Sequence, residues 1–434
     1  MSAAELAAAT PATRDRYVDF LRALSITIVV VGHWLAAIVT YDDGKFGGDH
    51  ALSAIPWTQW LTWLIQVMPL FFLVGGYSNA ASYESHRQRG GGYGVWLRRR
   101  TARLLGPTTV FVAVWVVLAL ALDLVGLEQE VLELGTRVVA LPLWFLAVYV
   151  AVVAAAPPML ALHERYGVGV PVALIAAAAA VDVLALGLGL SAIGWANFAF
   201  VWLVPHQLGF LWRDGRIDRR AAWLLTLGGL VLLLLLTTVG PYPRSMVGVP
   251  GEARSNNTPP TVALIVLAVT QLGVVTLLRA GVTRWLQRPR PWTTVVAANG
   301  VAMTVFLWHL TAMVVGALLL YRVVGFAQPE PGSGLWWALR PVWVAALALV
   351  LAPIVLAFAR FERPGRSPDT ERPAWTPLAV AGIVLACGGL AAFALRGFHV
   401  GGTPAGLPLL GVVPYAIGVV AVRRGVAVRG RAAP

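Results

Sequence analysis

Residues 18–39 read VDFLRALSITIVVVGHWLAAIV. From Ala23 to Val39 the single ionisable side chain is His33. A helix needs about 20 mostly apolar residues to cross the hydrocarbon core of a bilayer. This run is long enough, and it is too long for the apolar core of a cleavable leader. Residues 1–13 hold Glu5 and no Lys or Arg, so the basic region of a leader is missing as well. The expectation is a first transmembrane helix that stays in the membrane.

The rest of the chain continues in the same way. Of its 434 residues, 58% are hydrophobic and 12% are charged, about half the charged share of a soluble protein. The mean hydropathy is +0.75. A soluble globular enzyme, a disordered chain and a collagen-like fibre are excluded. Twelve candidate spans run roughly over 19–40, 58–80, 104–125, 139–162, 168–187, 195–212, 221–239, 260–281, 292–320, 337–359, 376–396 and 404–422. The last is interrupted by Pro404, Pro408 and Pro414. The runs are continuous rather than alternating, which points to helices and not to a barrel. The fold expected is an all-α polytopic membrane protein of about 12 transmembrane helices. Residues 1–360 form a ten-helix core, 361–375 a polar linker, and 376–434 two extra helices with a basic tail.

With the N-terminus inside, 25 of the 33 Lys and Arg residues fall in inner segments and 7 in outer ones, with Arg22 inside the first span. By the positive-inside rule both termini are cytoplasmic, and a plasma-membrane, multi-pass location is expected. The net charge of +13 is therefore mostly a topology signal and not the footprint of a nucleic-acid binder. The run Arg98 to Arg103 is denser than topology needs, and suits anionic lipid or an anionic cytosolic ligand. One cysteine, Cys387, cannot form an internal disulfide, and no metal site is expected. P-loop, HExxH, CxxC and GxSxG patterns are all missing, which disfavours ATP-driven transport, zinc hydrolysis and nucleophile-elbow hydrolysis.

Ionisable residues at membrane depth default to functional candidates. They are Asp19, Arg22 and His33 in the first span, Asp182 in the fifth, His206 in the sixth and His309 in the ninth. Arg22 and His33 are eleven residues apart, hence about 20° apart around a helix and about 16 Å along it. They share a face, with Arg22 at the cytosolic mouth and His33 past the midplane. The alternatives are a packing histidine and a surface i,i+3 pair of Asp19 with Arg22. His309 comes out at a similar depth. His206 follows Pro205 and is explained equally well by a kink, and Asp182 by a bond to a neighbouring hydroxyl. Asp123 and Arg340 lie near outer ends and are expected to snorkel.

Several of these stretches resemble the acyltransferase-3 family of membrane acyltransferases. Asp19, Leu21-Arg22 and His33 match the signature of its first span. MPLFFLVGGYSNAASY resembles its second-span element, with Gly75 in place of Ser. Arg100 and Arg103 in LRRRTARLLGP resemble its inner-loop Arg-x-x-Arg, LWFLAVYV with Trp144 its fourth-span element, and MTVFLWHL with His309 its late Trp-His element. Leu143 stands where a His often precedes the Trp-Phe pair. The resemblance implies an O-acyltransferase that takes cytosolic acyl-CoA as co-substrate, with no resident cofactor, and acylates a hydroxyl of a carbohydrate, glycolipid or glycosylated small molecule, as in O-acetylation of cell-envelope glycans. His33 and His309 would be catalytic. Arg22, Arg100 and Arg103 would hold the CoA, with Asp19, Asp182 and Trp144 in support. The alternative is a transporter or exporter of a glycan, lipid or small molecule.

Overall fold

The computed structural model describes residues 2–11, 14–362 and 376–424. Its helices are α1 (Ala3–Ala8), α2 (Arg16–Ala36), α3 (Ala51–Ala54), α4 (Thr62–Ile65), α5 (Met68–Gln88), α6 (Tyr93–Leu124), α7 (Gln129–Ala140), α8 (Leu143–Tyr166) and α9 (Gly169–Asp182). They continue as α10 (Asn197–Arg213), α11 (Arg219–Thr238), α12 (Val262–Trp285), α13 (Pro289–Gly300), α14 (Ala302–Ala317), α15 (Gly334–Phe358), α16 (Thr376–Arg396) and α17 (Leu409–Arg424). Among the described residues, ten helical stretches are long and apolar enough to cross a membrane. The chain is a polytopic helical membrane protein. The expected sixth and twelfth spans are the 17-residue α10 and the 16-residue α17, shorter than those ten stretches, of which Gly169–Gly187 has 19 residues. Residues 363–375 of the expected linker and 425–434 of the tail lie outside the described residues.

Three local departures from the sequence reading have physical causes. First, α2 ends at Ala36 and the chain turns into a β-hairpin, β1 (Ala37–Asp42) with β2 (Lys45–His50). Ile38, Val39, Thr40 and Tyr41 favour a strand. Asp43 and Gly44 take φ of +45° and +77°, as the tight turn between twisted strands requires. The amide of Gln328 pairs with the N–H and C=O of Tyr41 at 2.7 and 2.8 Å, covering the hairpin edge. Second, α6 starts at Tyr93, so Arg98 to Arg103 are helical rather than loop residues. Trp96 and Leu97 are buried there, which anchors the extra turns. Third, the ninth span is not continuous, because a break at Val301 separates α13 from α14. Asn299 and Gly300, both poor helix formers, precede it.

The chain forms two units. One comprises Met1–Ala80, Pro158–Ala302 and Phe326–Ala345, the other Ala81–Pro157, Met303–Gly325 and Ala346–Pro434. In the first, Phe72 stacks on Trp202 at 4.9 Å in the core, and α1 is tied to α13 by the Trp292 indole donating to the Ala7 carbonyl. In the second, Phe111 meets Trp308 edge-on at 5.1 Å, and α16 and α17 pair with each other and pack on α6.

Candidate active site

The N-terminal end of α2 is built around two carboxylates. Asp15 caps the helix, its side chain accepting from the N–H groups of Tyr17 and Val18. Its other oxygen accepts from the Tyr77 hydroxyl at 2.8 Å and from the guanidinium of Arg279. Arg279 in turn lies 4.8 Å from the Trp212 ring and 5.8 Å from those of Tyr17 and Tyr77. One turn on, the buried Asp19 accepts from Arg14 Nε at 2.5 Å and from Arg22 at 3.2 Å. A second nitrogen of Arg22 donates to Ser78 Oγ at 2.9 Å. Asn299 donates to the Asp19 carbonyl. Removing either charge from such a pair strands the other in a poorly solvated place. Arg22 is thereby held in one position while its side chain stays 28% exposed. Its fork has five N–H donors, more than Asp19 and Ser78 require.

The stretch Gly75-Gly76-Tyr77-Ser78-Asn79 supplies three of these contacts. A Cβ at Gly76 would stand 2.0 Å from the His206 carbonyl oxygen, so only glycine lets α5 cross α10 this closely. The close crossing aligns Tyr77 with Asp15, Ser78 with Arg22, and Asn79 with the buried His206 ring at 3.2 Å. His206 is thus a packing histidine at a helix crossing. Asp15, Tyr77, Ser78 and Arg279 escaped the sequence reading, which counted Arg279 only as a topology arginine. The tyrosine and serine lie in a motif that was noticed, but their partners are distant in sequence.

At the other end of α2 the backbone, not the side chains, is held. The Trp34 carbonyl accepts from the Trp343 indole at 2.9 Å, and the Ala37 carbonyl from Arg340 at 3.0 Å. Arg340 also lies 3.9 Å from the Trp336 ring centroid. A guanidinium on the last carbonyls complements the negative end of the helix dipole. Arg340 is therefore a structural clamp on α2. His33, the residue just before Trp34, is partly exposed.

Asp182 is buried near the end of α9 and accepts from Asn197 at 2.7 Å, the Tyr242 hydroxyl at 2.9 Å and the Val262 N–H at 2.8 Å. Burial and the adjacent carboxylate push the pKa of the Tyr242 phenol up, keeping it protonated and a donor. Asp182 is a tertiary cap for α12 that ties α9 to the loop at Tyr242. It is brought to these groups and not to Asp19 or Arg22. The same unit carries a cavity of about 620 Å³ lined by Ser53, Gln59, Tyr242, Arg244 and Glu252 among others.

The remaining predicted residues belong to the second unit. His309 is fully buried, and its Nδ1 lies 2.6 Å from the Phe306 carbonyl oxygen. A carbonyl only accepts, so Nδ1 carries the proton and Nε2 holds the lone pair of the neutral ring. The helix of His309 is fixed at its start by Glu362, which accepts from the N–H groups of Met303 and Thr304 at 3.0 Å each. These are donors left over by the break at Val301. Trp144 is partly exposed beside Phe145, whose ring meets Phe306 at 5.3 Å and so links the two elements. Arg100 and Arg103 are i,i+3 neighbours on α6, one partly buried and one exposed. Among the described residues no cluster of three or more His, Cys, Asp or Glu is placed to hold a metal.

A family model described as an acyltransferase domain matches residues 15–359. The chain belongs to the acyltransferase-3 family. No curated protein and no solved structure matches it. The acyltransferase match starts at the Asp15 cap and ends just before Glu362, so α16 and α17 lie outside it.

Proposed function

We propose that this membrane acyltransferase moves an acyl group from cytosolic acyl-CoA to a hydroxyl of a carbohydrate, glycolipid or glycosylated small molecule. Residues 1–360 carry the reaction, 361–375 link them to the added helices of 376–434, and twelve spans place both termini in the cytoplasm of a plasma membrane. The observation that carries the reading is Arg22, pinned by Asp19 and Ser78 at one end of α2, with His33 on the same face eleven residues on.

A CoA nucleotide is polyanionic and suits planar, bidentate guanidinium donors, the role given to Arg22, Arg100 and Arg103. The pantetheine arm then spans about the 16 Å between Arg22 and His33. His33 takes the proton of the acceptor hydroxyl as its oxygen attacks the thioester carbonyl. When the carbon–sulfur bond breaks, the same proton passes to the departing CoA thiolate, so no other reactant is needed. His309 is given the second catalytic role, with Nε2 as its accepting atom, and Trp144 supports its helix. The polar side chains of Gln59, Arg244 and Glu252 in the cavity support a hydroxylated acceptor.

The experiment is thioester turnover by purified protein against a panel of acyl-CoAs, with His33→Ala as control. The transporter reading draws on the break at Val301, since discontinuous helices line substrate paths. Flux of labelled glycan into proteoliposomes that survives His33→Ala, with no thioester turnover, would favour it.

A further inference from the structure

Asp19 holds two guanidinium groups at once. Its Oδ2 accepts from Arg14 Nε at 2.5 Å and its Oδ1 from Arg22 Nη1 at 3.2 Å. One negative charge faces two positive ones, so the trio is positive overall. The two arginines are committed differently. Arg22 gives one terminal nitrogen to Asp19 and the other to Ser78. Among the described residues Arg14 gives only Nε to a partner, and its side chain is 53% exposed. That leaves the donors of both terminal nitrogens, an edge of the fork that grips a phosphate in bidentate fashion. Because Nε is already fixed by Asp19, that edge is oriented before any ligand arrives. The neighbouring cations are engaged. Arg16 donates to the Leu286 carbonyl at 3.0 Å and lies 5.0 Å from the Trp292 ring centroid. Arg279 is bound by Asp15 among three aromatic rings. Arg14 precedes Arg22 by eight residues, in the direction away from His33.

We propose that Arg14 is a specificity-determining residue for the acyl donor, reading the 3′-phosphate of CoA while Arg22 holds the diphosphate. This rests on the reading of Arg22 as a CoA ligand. CoA carries its charge in two places, a diphosphate at the end of the pantetheine arm and a 3′-phosphate beyond it on the ribose. With the thioester at His33 and the diphosphate at Arg22, the 3′-phosphate is the next charge outward along α2, where Arg14 has its fork open. The shared Asp19 carboxylate offsets the repulsion between the two guanidinium groups and keeps them side by side. The contact makes the protein favour acyl groups carried on CoA over the same groups on 3′-dephospho-CoA or on a bare phosphopantetheine arm.

The test is equilibrium binding of CoA and of 3′-dephospho-CoA, by titration calorimetry, to the full chain in phosphatidylcholine nanodiscs, as wild type, Arg14→Gln, Arg14→Lys and Arg22→Ala. The wild type is expected to bind CoA about tenfold more tightly than 3′-dephospho-CoA, the size of one charge-assisted contact. Arg14→Gln is expected to raise the Kd for CoA about tenfold and to leave that for 3′-dephospho-CoA within about twofold, so the preference disappears. Arg14→Lys is expected to keep part of the preference, since lysine retains the charge and loses the fork. Arg22→Ala is expected to weaken both ligands alike, because the diphosphate is common to them. A wild type that binds the two equally, a preference that survives Arg14→Gln, or an Arg14→Gln chain that weakens both alike would overturn the inference and leave Arg14 a topology or lipid-facing residue. A wild type that binds neither form would instead overturn the donor reading beneath it, so the two failures are distinguishable.

Discussion

The two ends of α2 are secured by opposite means. At its start, side chains hold side chains, with Asp15 and Asp19 fixing Arg279 and Arg22 against Tyr77 and Ser78. At its close, Trp343 and Arg340 hold the backbone carbonyls of Trp34 and Ala37. On the proposed reading, charge is anchored where the CoA nucleotide binds. The backbone is anchored where the His33 imidazole keeps its depth and orientation with no carboxylate of α2 in reach. Asp19 is fourteen residues from His33, about 21 Å along the axis, so it serves one end only.

The contrast can be broken most severely at Gly76. Gly76→Ala puts a methyl 2.0 Å from the His206 carbonyl, and forcing α5 from α10 is expected to cost about 1–3 kcal/mol. A lowered thermal midpoint together with a raised acyl-CoA KM would report loss of Tyr77 and Ser78 as a pair. Asp19→Asn is expected to be milder in stability and sharper in function. It frees Arg22 and raises the donor KM about tenfold, or about 1.4 kcal/mol, with kcat near wild type. Arg340→Ala acts at the opposite end. Losing a cation from the last carbonyls is worth about 0.3–1 kcal/mol, expected to appear as a small fall in kcat with an unchanged donor KM.

The smallest expected effect is on the hairpin and follows from the lowered ionisation of His50. A buried neutral histidine contributes its full stability above the unfolded value of 6.5, and that stability declines as pH falls below it. Amide exchange in Ala37–His50 should therefore be slower, relative to intrinsic rates, at pH 7.5 than at pH 5.5. Equal protection at both would remove His50 from the account of the hairpin.

The parts of this arrangement that were legible in the sequence are those with local signals. Long apolar runs mark the spans, and the spacing Asp19, Arg22, His33 marks a single helix face. Arg279 and Arg340 were read by position alone because their partners, Asp15 and Ala37, lie 264 and 303 residues away. No local period encodes such a pairing. The hairpin was legible in principle, since Asp43-Gly44 follows a β-branched run, but the apolar stretch before it masked the end of α2. The break at Val301 was hidden for the same reason, as a hydropathy window averages over Asn299 and Gly300.

The division of labour along α2 is tested most directly by kcat and acyl-CoA KM for His33→Ala and Arg22→Ala, with folding checked in both. The account predicts that His33→Ala loses about 10²–10⁴-fold in kcat with little change in KM, whereas Arg22→Ala raises KM about tenfold and leaves kcat within a few-fold. A His33→Ala enzyme that retains more than a tenth of the wild-type kcat, or an Arg22→Ala enzyme with an unchanged KM, would contradict it.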